Sequence, residues 1–164
     1  MAEITIRLAG ADDVDRLDTA LRRLSDAIGD PHGATPDQLR DAGFGLHPAF
    51  RAQLAEAGGA IVGVALYSPV FSTVRAGAGV YVSDLWVADP ARGAGLGQRL
   101  LAAVARDAAA IWGADFLKLV VYDDNDRARA FYDRLGFTAS RGETTLALDT
   151  AGFAALAGRQ DSPR

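Results

Sequence analysis

From Val80 the chain reads VYVSDLWV, turns through ADPARGAGLG, and runs directly into the apolar helix pattern QRLLAAVAR. The first eight residues predict a strand, and the last segment a helix with an apolar stripe. Between them, Gly93, Gly95 and Gly97 place three glycines in five residues against the helix start. Glycine costs backbone order there, so it marks a place where a side chain would intrude. Bare backbone N–H groups at a helix N-terminus hold an anion. The segment therefore predicts strand, anion-binding loop and crossover helix, which belongs to a mixed α/β fold.

Several loops hold anions this way, and the residues separate them. A dinucleotide loop wants G-x-G-x-x-G; Gly93 and Gly95 fit, but the third glycine would fall on Gln98. A nucleoside-triphosphate loop wants Lys-Ser or Lys-Thr after the glycines, and neither follows here. A glycine-rich helix start with no ligand is the remaining bland alternative.

The rest of the chain reads as one domain over residues 1–157, with a polar tail over 158–164. The 164 residues are 49% hydrophobic and 23% charged, which suits a globular core. There is no cysteine, which excludes disulfides, thiolate metal sites and a cysteine nucleophile. Two histidines, His32 and His47, argue against a multi-histidine metal site, and no metal is expected. The net charge of -4 argues against a nucleic-acid partner. The longest apolar run, about Ala60 to Tyr67, is too short for a membrane span, and no leader is recognised, so the cytoplasm is the expected location.

Periodicity predicts the other elements. Ile4 to Leu8 alternates as a strand. Asp12 or Asp13 opens a helix to Ile28 with Val14, Leu17, Leu21, Leu24 and Ile28 on one stripe. Thr35-Pro36 caps a short helix to about Asp41. Phe50 to Glu56 and Ala60 to Tyr67 form a hairpin across Gly58-Gly59. The helix from Gly95 to about Trp112 turns Leu96, Leu100, Leu101, Val104 and Ile111 inward. Phe116 to Tyr122 is nearly all apolar and reads as a central strand. Asn125 caps a helix ending at Leu135 before Gly136. Thr144 to Leu148 reads as a last strand.

Written as R-x-x-G-x-G, the stretch Arg92 to Gly97 stands about thirty residues before NDRARAFYDRLGF. This ordered pair of motifs resembles the GCN5-related N-acetyltransferase (GNAT) family. The resemblance implies a mixed, mostly antiparallel twisted sheet flanked by helices, with a splayed strand pair. It also implies acetyl-CoA as cosubstrate, with the loop Arg92, Gly93, Ala94, Gly95, Leu96, Gly97 and Gln98 on its pyrophosphate. The backbone of Leu85, Trp86 and Val87 then pairs with the pantetheine arm. On the later helix, Asn125, Ala128, Tyr132 and Leu135 fall near one face. Family likeness gives Asn125 and Ala128 to the cosubstrate as well, and makes Tyr132 the acid for the departing thiolate. A phenol of pKa about 10 can protonate a thiolate of pKa about 8.5. Each residue also has a plain reading: Arg92 as a surface arginine, Trp86 as a core aromatic, Asn125 as a helix cap, Tyr132 as a packed tyrosine.

The stretches HGATPDQLRDAGFG, ALYSPVFST and GVYVSDLWV resemble the diamine (spermidine/spermine) N-acetyltransferase branch. That branch implies a small primary amine, polyamine-like or amino-acid-like, as acceptor, and a homodimer. One residue departs: the branch's glutamate is Ser83 here. Asp84 remains as the catalytic carboxylate that binds or deprotonates an amine, or else serves as a turn residue. Tyr67 and Tyr81 line the acceptor pocket or pack in the core. Acetylation of protein N-termini or lysines, and acyl-CoA binding without turnover, are the alternative functions.

Overall fold

The structure is a computed structural model describing residues 2–159. It divides into two compact units, residues up to Asn125 and residues from Asp126 onward, taken in turn. The first holds a five-stranded sheet in the order β1-β2-β3-β4-β5: β1 Ile4–Leu8, β2 Arg51–Ala57, β3 Ala60–Ser72, β4 Gly77–Val87 and β5 Leu117–Leu119. The first three pairings are antiparallel, and β4 pairs with β5 in parallel. Helices α1 (Val14–Ile28) and α2 (Pro36–Phe44) precede β2, and α3 (Leu96–Trp112) crosses over from β4 to β5.

Side-chain alternation divides the sheet into two faces. On one, Ala52, Leu54, Val64 and Trp86 join Val14, Leu17 and Leu21 of α1 and Leu39 of α2 in one core cluster. On the other, Gln53 meets Tyr67, Tyr67 meets Asp107 of α3, and Leu100 approaches Gly63. Burying a leucine-sized side chain contributes about 1.5–3 kcal/mol, so fully buried Leu17, Leu54, Leu96 and Leu100 dominate the packing. Tyr67 is also fully buried, which makes it a core residue rather than a pocket lining. Its hydroxyl donates to Asp107 Oδ2 at 2.6 Å and accepts from Gln53 at 3.0 Å. Arg51 grips both oxygens of the same carboxylate at 2.7 and 2.9 Å.

α2 opens as its sequence predicts. Thr35 Oγ1 accepts from Gln38 N–H, and Thr35 N–H donates to Gln38 Oε1. α1 differs: Asp13 forms no side-chain bond into the helix but accepts from Gly10 N–H across a short 3-10 turn. The apolar stripes hold except at their ends. Ile28 is exposed, and Ile111 is 54% exposed while its neighbour Trp112 stacks edge-on against Tyr67.

Two expected strands are corrected. β5 is three residues long and lies last in the sheet order, not at its centre; Val120 and Tyr122 beyond it are exposed. In the second unit, 144–148 is not a strand, and Leu146 and Leu148 are exposed. That unit holds α4 (Asp126–Arg134) and an unforeseen α5 (Thr150–Ala157), whose cap Asp149 accepts from Gly152 N–H. The expected polar tail lies mostly outside the described residues, which end at Arg159. Among the described residues, no helix is long and apolar enough to cross a membrane.

Candidate active site

The site starts from the register of β4. β5 accompanies β4 only from Val80 to Val82. Beyond Val82, among the described residues, that edge of β4 has no paired strand. Ala88 N–H donates to Val62 O on β3. Strand alternation then turns the backbone groups of Leu85 and Val87 toward the open edge. The Val87 carbonyl there accepts from Arg92 Nε at 3.1 Å. The Leu85 N–H faces the same unpaired edge. The Trp86 side chain is buried in the α1 core with the Arg23 guanidinium 5.8 Å from its ring centre, so any ligand role of Trp86 is its backbone's.

A bulge precedes this edge. Leu66 pairs with Asp84 and Tyr67 with Val82, leaving Ser83 without a partner on β3. The extra residue reverses the face of the strand. Val80 lines a cavity with Ala105 and Ala108 of α3, whereas Trp86, also even-numbered, packs against α1. Asp84 is half-buried and Ser83 exposed, and Ser83 Oγ donates to Asp84 Oδ2 at 2.6 Å. Tyr81 is half-buried before the bulge.

The loop then runs through a 3-10 turn at Asp89–Ala91, with Ala91 N–H on Ala88 O. Arg92 is committed locally, to the Val87 carbonyl and to Asp89 at 2.6 Å. Gly93 and Gly95 adopt φ of 81° and 72°, the left-handed region that side chains avoid. No side chain caps α3, because Gly95 holds the cap position. The first helical bond is Arg99 N–H to Gly95 O. The N–H groups of Leu96, Gly97 and Gln98 therefore have no partner within the helix. Residues 92–95 are exposed, and Leu96 sends its side chain into the core. An open strand edge thus leads into an uncapped, glycine-lined helix start, which fits an extended arm ending in a pyrophosphate.

In the second unit, FYDRLGF closes α4. Phe137 N–H reaches Tyr132 O and Gly136 N–H reaches Asp133 O, with Gly136 at φ 89°. This double bond to the helix end is the Schellman pattern, and its usual apolar contact is Phe137 against Tyr132 at 5.3 Å between ring centres. Phe131 packs on the other side at 5.1 Å. The motif thereby fixes the Tyr132 ring between two phenylalanines. Burial pushes its phenol above the ordinary tyrosine pKa, which keeps it protonated and able to donate. Asn125 directly precedes α4, and Ala128 lies in its first turn.

The histidines carry no part of this. His32 Nε2 sits 3.0 Å from Asp18 Oδ1, whose other oxygen accepts from Arg22 at 2.8 Å, and His47 is exposed. Burial alone would raise the Asp18 carboxyl, but Arg22 and His32 outweigh it and hold the pKa below its ordinary value. Sequence reasoning missed the Ser83–Asp84 contact. Its one signal was a polar pair inside an apolar strand.

Residues 18–137 match the Acetyltransferase (GNAT) family. The chain belongs to that family. This GNAT chain is 31% identical over 172 residues to a thialysine N-epsilon-acetyltransferase of Mus musculus, covering 97% of this chain and all of that one. Its fold resembles an integron cassette protein from V. cholerae with TM-score 0.77 at 22% identity, over 97% of this chain and 99% of that one. It also resembles an aminoglycoside N-acetyltransferase solved in complex with CoA, with TM-score 0.72 at 17% identity, over 92% and 97% of the two chains. The chain is an acetyltransferase of the GNAT fold.

Proposed function

We propose that this GNAT domain, spanning residues 1–157, transfers the acetyl group of acetyl-CoA to a primary amine of a small, amino-acid-like molecule. The observation that carries the reading is the open edge of β4 running into the uncapped start of α3. An extended arm with amide groups can pair with Leu85 and Val87. Its pyrophosphate then meets the N–H groups from Gly93 to Gln98, where the helix end adds about 0.3–1 kcal/mol at an exposed site. Arg92 holds the loop through Val87 and Asp89, and its remaining donors are available to phosphate. Family likeness also gives Asn125 and Ala128 to the cosubstrate.

The neutral amine attacks the thioester directly. Leu85 N–H polarises the carbonyl, Asp84 receives the amine proton, and Tyr132 protonates the leaving thiolate. The amino-acid-like acceptor is supported by the full-length likeness to a thialysine N-epsilon-acetyltransferase. A homodimer acting in the cytoplasm is part of the same proposal. The test is thiol release from acetyl-CoA with polyamines, lysine analogues, ornithine, aminoglycosides and a peptide amino terminus. Turnover is expected with an amino-acid-like diamine. Acetyl-CoA binding without turnover of any amine would make the domain a non-catalytic binder, and turnover of the peptide alone would make it a protein acetylase.

A further inference from the structure

Along an unbroken strand, neighbouring side chains point to opposite faces. Ser83 and Asp84 touch only because of the bulge: the register slips between Leu66 and Tyr67, and the serine hydroxyl swings to 2.6 Å from Asp84 Oδ2. Bulges beside sites re-aim a side chain at the expense of a pairing, and here the re-aimed group is an exposed hydroxyl. A hydroxyl has one hydrogen to donate and two lone pairs to accept with. The carboxylate takes the hydrogen, since the alternative acceptor, Leu66 O, is 3.4 Å away. What Ser83 offers the solvent side is acceptor capacity, which is what an amine N–H needs.

The partner differs from the carboxylates that arginines hold. Asp13, Asp18, Glu56 and Asp107 each engage an arginine. Asp84 instead accepts from a neutral hydroxyl, as Asp30 does from Tyr122, so that bond brings no cation to its carboxylate. One residue further, Leu85 turns its N–H toward the open edge where the thioester carbonyl would lie.

We propose that Ser83 is a catalytic residue that relays the acceptor amine's proton to Asp84. The inference rests on the acetyl-transfer reading above and deepens it. The amine nitrogen bonds to the thioester carbonyl carbon as the carbon–sulfur bond breaks and its electron pair leaves on sulfur. One N–H proton passes to Ser83 Oγ while the Oγ hydrogen passes to Asp84 Oδ2. Tyr132 supplies the proton taken up by sulfur. Asp84 then loses its proton to solvent and Tyr132 regains one, so the cycle closes with an amide and a free thiol.

The experiment compares wild type, Ser83→Ala, Ser83→Thr, Asp84→Asn and the Ser83→Ala/Asp84→Asn pair. Turnover of the best amine is measured at saturating acetyl-CoA, with acetyl-CoA affinity measured separately. The relay predicts a kcat loss of about 100-fold in Ser83→Ala, within the usual range for a proton-transfer group, at unchanged acetyl-CoA affinity. Ser83→Thr keeps the hydroxyl on a residue that strands accept, and recovers wild-type kcat to within about threefold. The double variant is no slower than the slower single one, because both remove one path. Ser83→Ala turning over like wild type, Ser83→Thr as slow as Ser83→Ala, or losses that multiply in the double variant would each overturn the relay while leaving acetyl transfer intact. Wild type that binds acetyl-CoA and acetylates nothing would overturn both.

Discussion

Replacing Asp13 with Asn tests the electrostatic bolt that joins β1, β2 and the start of α1. The Arg7 fork meets Asp13 at 2.8 and 2.7 Å and Glu56 at 3.1 and 2.9 Å. Arg16 meets the same glutamate at 2.6 Å and the same aspartate at 3.7 Å. The Arg7 hydrogen bonds, helped by Gly10 N–H and opposed by burial, hold the Asp13 carboxyl at about 2 rather than 3.8. One pKa unit corresponds to about 1.4 kcal/mol, so the linkage is bounded near roughly 2.5 kcal/mol. Arg7 is 39% exposed, and screening brings the expected loss in Asp13→Asn at pH 7 to about 1–2 kcal/mol. At roughly 2–4 °C per kcal/mol for a chain of this size, Tm falls by about 2–8 °C. The sign follows from a depressed carboxylate. Its contribution is present above the unfolded pKa and lost as pH falls toward the folded one. Urea unfolding of both proteins from pH 7 to pH 3 should show the gap narrowing below about pH 4.5, to about half its neutral value at pH 3. A gap that stays constant across that range, or is absent at pH 7, would refute the reasoning.

Tyr67→Phe removes the acceptor of Gln53 and a donor to Asp107 in a buried network. It should cost about 1–3 kcal/mol by chemical denaturation. Gly79→Ala places a Cβ 2.4 Å from the Phe116 ring, and overpacking of about 1–3 kcal/mol should appear as a lower Tm. Gly95→Ala meets no neighbour within 4 Å but must hold φ of 72°. Strain of about 1–2 kcal/mol leaves the fold standing, while titration should show acetyl-CoA binding weakened about tenfold or more. Tyr132→Phe keeps the ring packing against Phe131 and Phe137 and should lower kcat about 100-fold with acetyl-CoA affinity unchanged.

What the sequence made legible was local. Thr35, Pro36 and Gln38 specify a helix start through bonds among themselves, and the structure closes them as the spacing requires. Glycines followed by Leu96, Leu100, Leu101 and Val104 likewise specify both the loop and the buried face of α3. Tertiary partners decided the rest. TTLAL at 144–148 alternates like a strand, yet alternation is only half of a strand, and the described residues give it no neighbour to pair with. Ile111 and Trp112 both suit the apolar stripe, and Tyr67 selects Trp112. The Ser83–Asp84 contact depends on a register shift against β3, which no reading of β4 alone contains. Tyr67 could not be told from a pocket residue until Asp107 and Gln53 were seen to converge on it.

The most direct test of the account is the mass of the acceptor after incubation with acetyl-CoA and the purified protein, using thialysine, lysine and ornithine. Acetyl transfer predicts a product heavier by one acetyl group on an amine nitrogen, formed with equal release of CoA thiol and slowed by Tyr132→Phe. Unmodified acceptors alongside saturable acetyl-CoA binding would contradict it.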